Sequence, residues 1–200
     1  MAPEVAGMAR QAEDEVLRIG AITRSTLGFF RQDEKRERVD LRTSAESVRS
    51  LLEPVLRERG IHLVVESAGD CAVDAYSVET RHVLLNLVRN ACEATTRKGA
   101  QVKIAIEGRR DDVQVVVEDW GAGIAPAVLE NLFQFGVSTK GDRGNGIGLW
   151  AVRRLVVRHG GTVRVDSTLG KGSRFTVCWP RRTGLESARY NNVVAMAGAD

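Results

Sequence analysis

The sequence has no long apolar stretch, little excess charge and few cysteines. No run approaches the roughly eighteen apolar residues that a membrane-spanning helix requires, and no secretory signal is recognisable. The three cysteines have neither the spacing of metal ligands nor that of a disulfide framework. Cys92 and Cys178 lie in apolar runs and are expected to be core residues in a reducing compartment, which predicts a cytoplasmic protein.

The charge balance gives no reason to expect nucleic acid as a partner. The chain has 29 Lys and Arg against 26 Asp and Glu, which leaves a net charge of only +3. What it does contain is 43% hydrophobic residues within a length of 200, enough to bury a full core. This composition predicts one globular domain, with or without a helical arm.

The first part of the chain is predicted to be one long helix over residues 4–31. An approximate seven-residue repeat, interrupted by Glu15, runs through Val5, Met8, Ala12, Ile19, Ile22, Thr26 and Phe29. Such an apolar stripe must pack against another surface. A second helix or another copy of the chain is one alternative, and the globular body of this chain is an equal one. A charged linker is expected over residues 33–40.

Beyond the linker, helices alternate with short strands. Helices are predicted over 43–58, 77–97, 126–133 and 147–159, and strands over 61–66, 71–73, 102–107, 113–119, 163–166 and 174–179. Helices interleaved with a largely antiparallel sheet predict an α+β fold, a two-layer α/β sandwich over residues 41–180. The polar stretch over residues 181–200 is expected to be a disordered tail.

The most informative helix contains RHVLLNLVRNACEAT, residues 81–95. Its apolar stripe predicts that one side faces the core, while Asn86 and Asn90 lie one turn apart on the same side. A buried amide costs free energy unless it is hydrogen-bonded, so something polar is expected against this helix. Amide oxygens suit a hard cation such as Mg²⁺, and buried water or a loop cap is the alternative.

Three glycine-rich motifs follow. Asp119 ends a strand and precedes Trp-Gly-Ala-Gly, where a carboxylate can accept a hydrogen bond from an exocyclic amine and glycine admits a flat ring. The repeat GNGIGL at 144–149 precedes a helix, whose N-terminal amides and dipole suit phosphate. The turn GKGSRF at 170–175 contributes the Ser173 hydroxyl. Each motif alone has the composition of an ordinary turn.

In this order, the motifs resemble the nucleotide-binding domain of sensor histidine kinases, within the superfamily that also contains gyrase and mismatch-repair ATPases. VLLNLVRNACEA resembles the N box, DWGAGI the first glycine box, LFQFGVSTK the phenylalanine box, GNGIGLWAV the second glycine box and GKGSRF the third. The residues in these boxes most resemble those of the nitrogen-regulation and oxygen-sensing subtype.

The resemblance implies a Bergerat-type ATP-binding fold with ATP and Mg²⁺ as cofactors. It implies that Asn90 holds Mg²⁺, that Asp119 binds adenine, and that Asn86 and Lys140 serve catalysis. Lys140 is then the cation of a mobile lid over residues 133–145. The implied ATP contacts are Asn86, Asn90, Asp119, Gly121, Gly123, Ile124, Thr139, Lys140, Gly144, Gly146, Gly148, Leu149 and Ser173.

Asn86 separates two branches of this superfamily. The hydrolysing members and the serine kinases have a Glu four residues before the metal-binding Asn, where it acts as a general base. An amide cannot accept a proton at neutral pH, but a neutral imidazole is already a nucleophile. Asn86 therefore favours phosphoryl transfer to histidine over fast hydrolysis. His82, one turn earlier, is an alternative base, although a surface or supporting role is the simpler interpretation.

A phosphoacceptor is not recognisable, because neither His62, His82 nor His159 precedes an acidic residue. His62 and His159 are expected to be structural. Residues 1–32 resemble the second helix of the family's dimerisation hairpin, which implies a homodimer. The implied partners are an acceptor helix, in cis or in trans, and a response regulator receiver domain. The open stripe that begins at residue 5 favours a fragment of a longer protein.

Two functions stay open from the sequence. The first is the catalytic domain of a histidine kinase that acts on a histidine outside this chain, and the intact motifs favour it. The second is a dimeric ATP-binding scaffold that docks a response regulator but no longer transfers phosphate. A chaperone-like or topoisomerase-like ATPase is disfavoured by Asn86 and by the lack of a transducer domain.

Overall fold

A computed structural model describes residues 35–137 and 146–181. The predicted helix over residues 4–31, most of the predicted lid and all but the first residue of the predicted tail lie outside the described residues. Within the described ranges, no helix is both long enough and apolar enough to cross a membrane.

The described part consists of helices packed on a mixed sheet. In chain order its elements are β1 (Glu37–Asp40), α1 (Leu41–Arg59), β2 (His62–Ala68), β3 (Ala72–Ala75), α2 (Ser77–Ala94), β4 (Gln101–Gly108), β5 (Asp112–Asp119), α3 (Pro126–Leu129), α4 (Gly148–Arg158), β6 (Thr162–Thr168) and β7 (Gly172–Pro180). Five strands form one sheet in the order β2-β4-β5-β7-β6, and β1 pairs with β3 separately. In the larger sheet β2 and β4 are parallel and the other neighbours are antiparallel. The predicted α+β fold is confirmed.

The core lies between one face of this sheet and the helices. Because side chains alternate along a strand, every second residue of β4, β5 and β7 points to the same side. These residues are Val102, Ile104, Ile106, Val113, Val115, Val117, Phe175, Val177 and Trp179, and all are almost fully buried. The alternation continues to the ends of β5 and β7, where it places Asp119 and Ser173 opposite each other on the buried face.

The structure differs from the sequence predictions at several boundaries. Strand β1 occupies the end of the segment assigned to the linker, because Val39 is buried in a pair with β3. Asp40 caps α1, because its carboxylate accepts hydrogen bonds from the amides of Arg42 and Thr43. The helix therefore starts at residue 41. Cys92 is buried as predicted, whereas Cys178 lies on the opposite sheet face and is only partly buried.

Two predicted helices are shorter than expected. Helix α2 ends at Ala94, not at residue 97, because Thr95 has an extended backbone and its hydroxyl donates to the carbonyl of Ala91. Helix α3 covers a single turn, Pro126–Leu129, where the pattern predicted a helix to residue 133. By contrast, Gly60 stops α1 as predicted, with a left-handed backbone conformation at φ 64°.

Arg181 connects the two sheets at one edge of the domain. Its guanidinium donates to the carbonyl oxygens of Asp70, Ala72 and Arg109, and to the carboxylate of Asp70. Its carbonyl accepts from the amide of Asp74, at 3.1 Å. A planar group with five fixed donors can satisfy several acceptors at once, which lysine cannot. Arg181 therefore holds the β2–β3 turn against the β4–β5 hairpin.

Replacing Arg181 with Ala is expected to lower the free energy of unfolding by about 2–3 kcal/mol, because several backbone acceptors lose their donor together. Urea denaturation measures this loss. The free energy of unfolding of Arg181→Lys should lie between those of the unsubstituted chain and Arg181→Ala. Arg110→Ala, at an exposed position of the β4–β5 hairpin, is the control. Equal losses at Arg110 and Arg181 would contradict the assigned role.

Candidate functional site

Asn86 on helix α2 faces the beginning of helix α4. Its amide nitrogen donates to the backbone carbonyl of His82 at 2.9 Å, so the donor half of the side chain is used within its own helix. Its Oδ1 points toward Gly148, where an added Cβ would lie only 3.0 Å away. The acceptor half of the amide is thus presented at the start of α4. Asn90, one turn later, is half-buried on the same side of α2.

Asp119 is a buried acceptor at the end of β5. The residue is only 4% exposed, and its Oδ1 accepts from the amide of Gly121 at 2.9 Å. Burial raises the pKa of the Asp119 carboxyl, while hydrogen bonds from the amides of Gly121 and Ser173 act in the opposite direction. Burial is the larger effect, so the pKa of Asp119 is raised overall, while its backbone donors orient the carboxyl as an acceptor for a neutral N–H donor of a ligand.

The first and third glycine boxes pack backbone to backbone around Asp119. An added Cβ at Gly121 would lie 2.3 Å from the carbonyl oxygen of Ala94, the last residue of α2. At Gly123 it would lie 2.1 Å from the carbonyl of Thr168, and at Gly172 2.0 Å from that of Asp119. These contacts admit no side chain, so the loop after β5 forms a wall of bare backbone beside the carboxylate.

Hydrogen bonds fix this loop on both sides. The amide of Ala122 donates to Ala94 at 3.0 Å, and the carbonyl of Ala122 accepts from Gly170 at 2.7 Å. The Ser167 hydroxyl accepts from the amide of Ile124 at 2.9 Å and lies 3.0 Å from the Ser173 hydroxyl. The sequence analysis missed Ser167. Its position directly opposite Ser173 in the β6–β7 pair is the signal that could have identified it.

Helix α4 begins at Gly148, inside the second glycine box. Gly146 has φ 62° and its carbonyl accepts from the amide of Gly136, which joins this box to the middle of the phenylalanine box. Ile147 precedes the helix and has no polar side chain with which to cap it. An eleven-residue helix that begins in this way offers backbone amides and a positive dipole end to an anion. Leu149 is half-buried in its first turn.

Three predicted contacts, Thr139, Lys140 and Gly144, lie outside the described residues. His82 and Cys92, two titratable residues of α2, make no contact that would suit catalysis in the described part of the chain. Burial lowers the pKa of His82, against the opposing effect of Glu79, and Asn86 bonds to the His82 backbone and not to its ring. Burial raises the pKa of the Cys92 thiol to about 11, which makes Cys92 an inert packing residue.

Residues 75–183 match the family described as histidine kinase-, DNA gyrase B-, and HSP90-like ATPase. The chain belongs to this family. The sensor histidine kinase ZraS of Salmonella typhi is 44% identical over 98 residues, which are 49% of this chain and 21% of ZraS. The sensor protein FixL of Bradyrhizobium diazoefficiens is 31% identical over 182 residues, 89% of this chain and 36% of FixL. The chain thus spans about a fifth and about a third of these two relatives.

A solved structure shares the architecture described above. The crystal structure of the histidine kinase ThkA in complex with the response regulator protein TrrA matches with a TM-score of 0.74 and 25% identity. The match covers 91% of this chain and 53% of the compared chain. Together with the family match, these likenesses identify an ATP-binding catalytic domain of the two-component sensor histidine kinase type.

Gly121→Ala is expected to lower the free energy of unfolding by about 2 kcal/mol or more, because the new methyl group meets a backbone carbonyl that cannot move aside. Gly148→Ala should be nearly neutral, since it meets only the end of the Asn86 side chain and alanine favours a helix. Thermal or urea denaturation of the two variants tests this difference. Equal stability of both would show that the loop is not closely packed.

Proposed function

We propose that this domain binds Mg·ATP and transfers the γ-phosphate to a histidine on a helix outside the catalytic domain. The proposal rests on the contacts of the Asn86 side chain. Its amide cannot accept a proton, its donor half is used by His82, and its oxygen faces the start of α4. A site without a base at this position suits a nucleophile that is neutral and needs no activation.

The described residues fit a nucleotide at both ends of the site. In the proposal, the Asp119 carboxylate accepts from the adenine amine, and the backbone wall at Gly121 and Gly123 lies along the ring. The first amides of α4 bind phosphate oxygens. Asn90 supplies an amide oxygen to Mg²⁺, a cation that binds few protein ligands and relies on phosphate oxygens and water. Bound Mg²⁺ neutralises part of the phosphate charge.

In the proposed reaction a neutral imidazole nitrogen attacks the γ-phosphorus, and the bond to the β-phosphate oxygen breaks with ADP as leaving group. The chain's contribution is then to hold the nucleotide in line and to shield its charge. Thr139, Lys140 and Gly144 are proposed to complete the phosphate contacts from the lid. No described residue needs to move a proton in this step.

The proposed partners extend beyond the described residues. Residues 1–32 are proposed to form a dimerisation helix in a homodimer located in the cytoplasm, followed by the linker. The acceptor helix acts in cis or in trans, and a response regulator receiver domain receives the phosphate. That ThkA binds the response regulator TrrA supports this proposal. The likeness to FixL supports the oxygen-sensing and nitrogen-regulation subtype.

Asp119→Asn is expected to weaken binding of Mg·AMPPNP by about tenfold or more, because an amide replaces one of two acceptor oxygens with a donor and removes the charge. Calorimetric titration measures the affinity. Glu118→Gln is the matched control, since Glu118 lies on the opposite face of β5 and pairs with Arg174. A change of less than about twofold for Asp119→Asn would contradict the adenine assignment.

Incubation of the chain with radiolabelled ATP and a separate acceptor helix tests the transfer itself. We expect acid-labile, alkali-stable labelling of the helix, as befits a phosphohistidine, and its loss in Asn90→Ala at low magnesium. Raising magnesium should partly restore labelling in that variant, because the ligand it lacks contributes only part of the cation's binding. Tight binding of Mg·AMPPNP without any labelling would favour a regulatory scaffold.

A further inference from the structure

A polar cluster, buried at Glu79 and His159 and exposed at Arg158, joins helices α2 and α4 on the side remote from the glycine boxes. Glu79, in the first turn of α2, is 6% exposed. Its Oε1 accepts from the guanidinium of Arg158, the last residue of α4. Its Oε2 lies 2.8 Å from Nε2 of His159, which follows that helix and is 2% exposed. None of these three residues belongs to the predicted nucleotide contacts.

Glu79 is the polar partner on which this cluster depends. Nδ1 of His159 is buried without a hydrogen-bond partner among the described residues, so the polar contact of the ring is the one to Glu79. Because a carboxylate only accepts, both of its oxygens are matched to donors, Arg158 on one side and His159 on the other. An amide at position 79 would face one of these donors with a donor of its own.

The cluster also includes Tyr76 and, through its ring, Arg36, the residue before strand β1. The Tyr76 ring lies edge-on to His159, with centroids 5.5 Å apart, and the guanidinium of Arg158 lies 4.8 Å from its centroid. Arg36 lies 5.2 Å from the same ring and donates to the carbonyls of Asp74 and Arg158. A cation near the last carbonyl of a helix is favourable for its dipole. The end of α4 is thus held from two directions.

Helices α2 and α4 run in opposite directions, because the end of α4 contacts the first turn of α2 and its start lies against the middle of α2. Glu79 and Asn86 are seven residues apart, two turns or about 10 Å along the same side of α2. At the Asn86 end the two helices approach closely, since a Cβ added at Gly148 would lie 3.0 Å from the Oδ1 of Asn86. Between the two ends, the apolar residues Ala151, Val152, Leu155 and Val156 bury one face of α4. A small rotation of α4 would therefore move its first amides relative to Asn86 without detaching the helix.

We propose that Glu79 is a positioning residue for the phosphate end of the nucleotide site. By holding the last turn of α4 against the first turn of α2, it sets where α4 begins relative to Asn86. This inference rests on the proposed function, because it assigns the phosphates to the start of α4. Adenine contacts at Asp119 and the glycine loop do not pass through α4, so they are independent of Glu79.

The test compares two ligands on the whole chain. Glu79→Gln is expected to weaken Mg·AMPPNP, measured by calorimetry, by about tenfold, while adenosine affinity, measured by NMR titration, changes less than twofold. Arg158→Gln, whose side chain is 40% exposed and thus safer for folding, should show the same selectivity with a smaller loss. Arg153→Gln, at an exposed position of α4, should change neither affinity.

Each alternative outcome decides a different point. Equal loss of both ligands in Glu79→Gln and Arg158→Gln would mean a merely structural role and would overturn the inference. Unchanged affinity for both ligands in these folded variants would overturn it as well. If the unsubstituted chain bound adenosine but gained nothing from the phosphates, or bound neither ligand, the proposed function itself would fail.

Discussion

The close approach of bare backbone at the end of α2 is the constraint on which the site depends. The carbonyl of Ala94 both accepts from Ala122 and leaves no space for a side chain at Gly121. This contact fixes the loop after β5 relative to α2, and the β6–β7 hairpin then packs on the loop through Gly123 and Gly172. Asp119 is enclosed by these segments, so its burial and its backbone donors follow from the same packing.

Helix α2 is the element that all parts of the site share. Its C-terminus holds the loop beside Asp119, its middle presents Asn86 and Asn90, and its first turn contains Glu79. The polar side chains on this helix are tolerated because they are hydrogen-bonded, Glu79 to Arg158 and His159 and the amide of Asn86 to a carbonyl of α2 itself. One amphipathic helix can therefore fix two ends of a ligand site at a constant spacing, since about 1.5 Å separates successive residues along its axis.

The features that could be predicted from the sequence are those set by hydrophobic periodicity and by local motifs. The alternation in β5 and β7 was visible, and it is the reason that Asp119 and Ser173 are buried next to each other. The partners of Arg181 and the pairing of Glu79 with His159 could not be predicted, because these contacts join residues about 70 to 110 positions apart. Strand β1 was missed for the same reason, since its charged sequence becomes a strand only by pairing with β3.

Asn86 shows how one side chain can restrict the chemistry of a fold. A carboxylate at this position could take a proton from water, and the enclosed site would then favour hydrolysis. The amide of Asn86 cannot do this, because its nitrogen is bonded to the carbonyl of His82 and its oxygen is not protonated at neutral pH. Water near the phosphates then has no base here, whereas a neutral imidazole needs none. In the proposed function, this position therefore favours transfer to a histidine over hydrolysis of ATP.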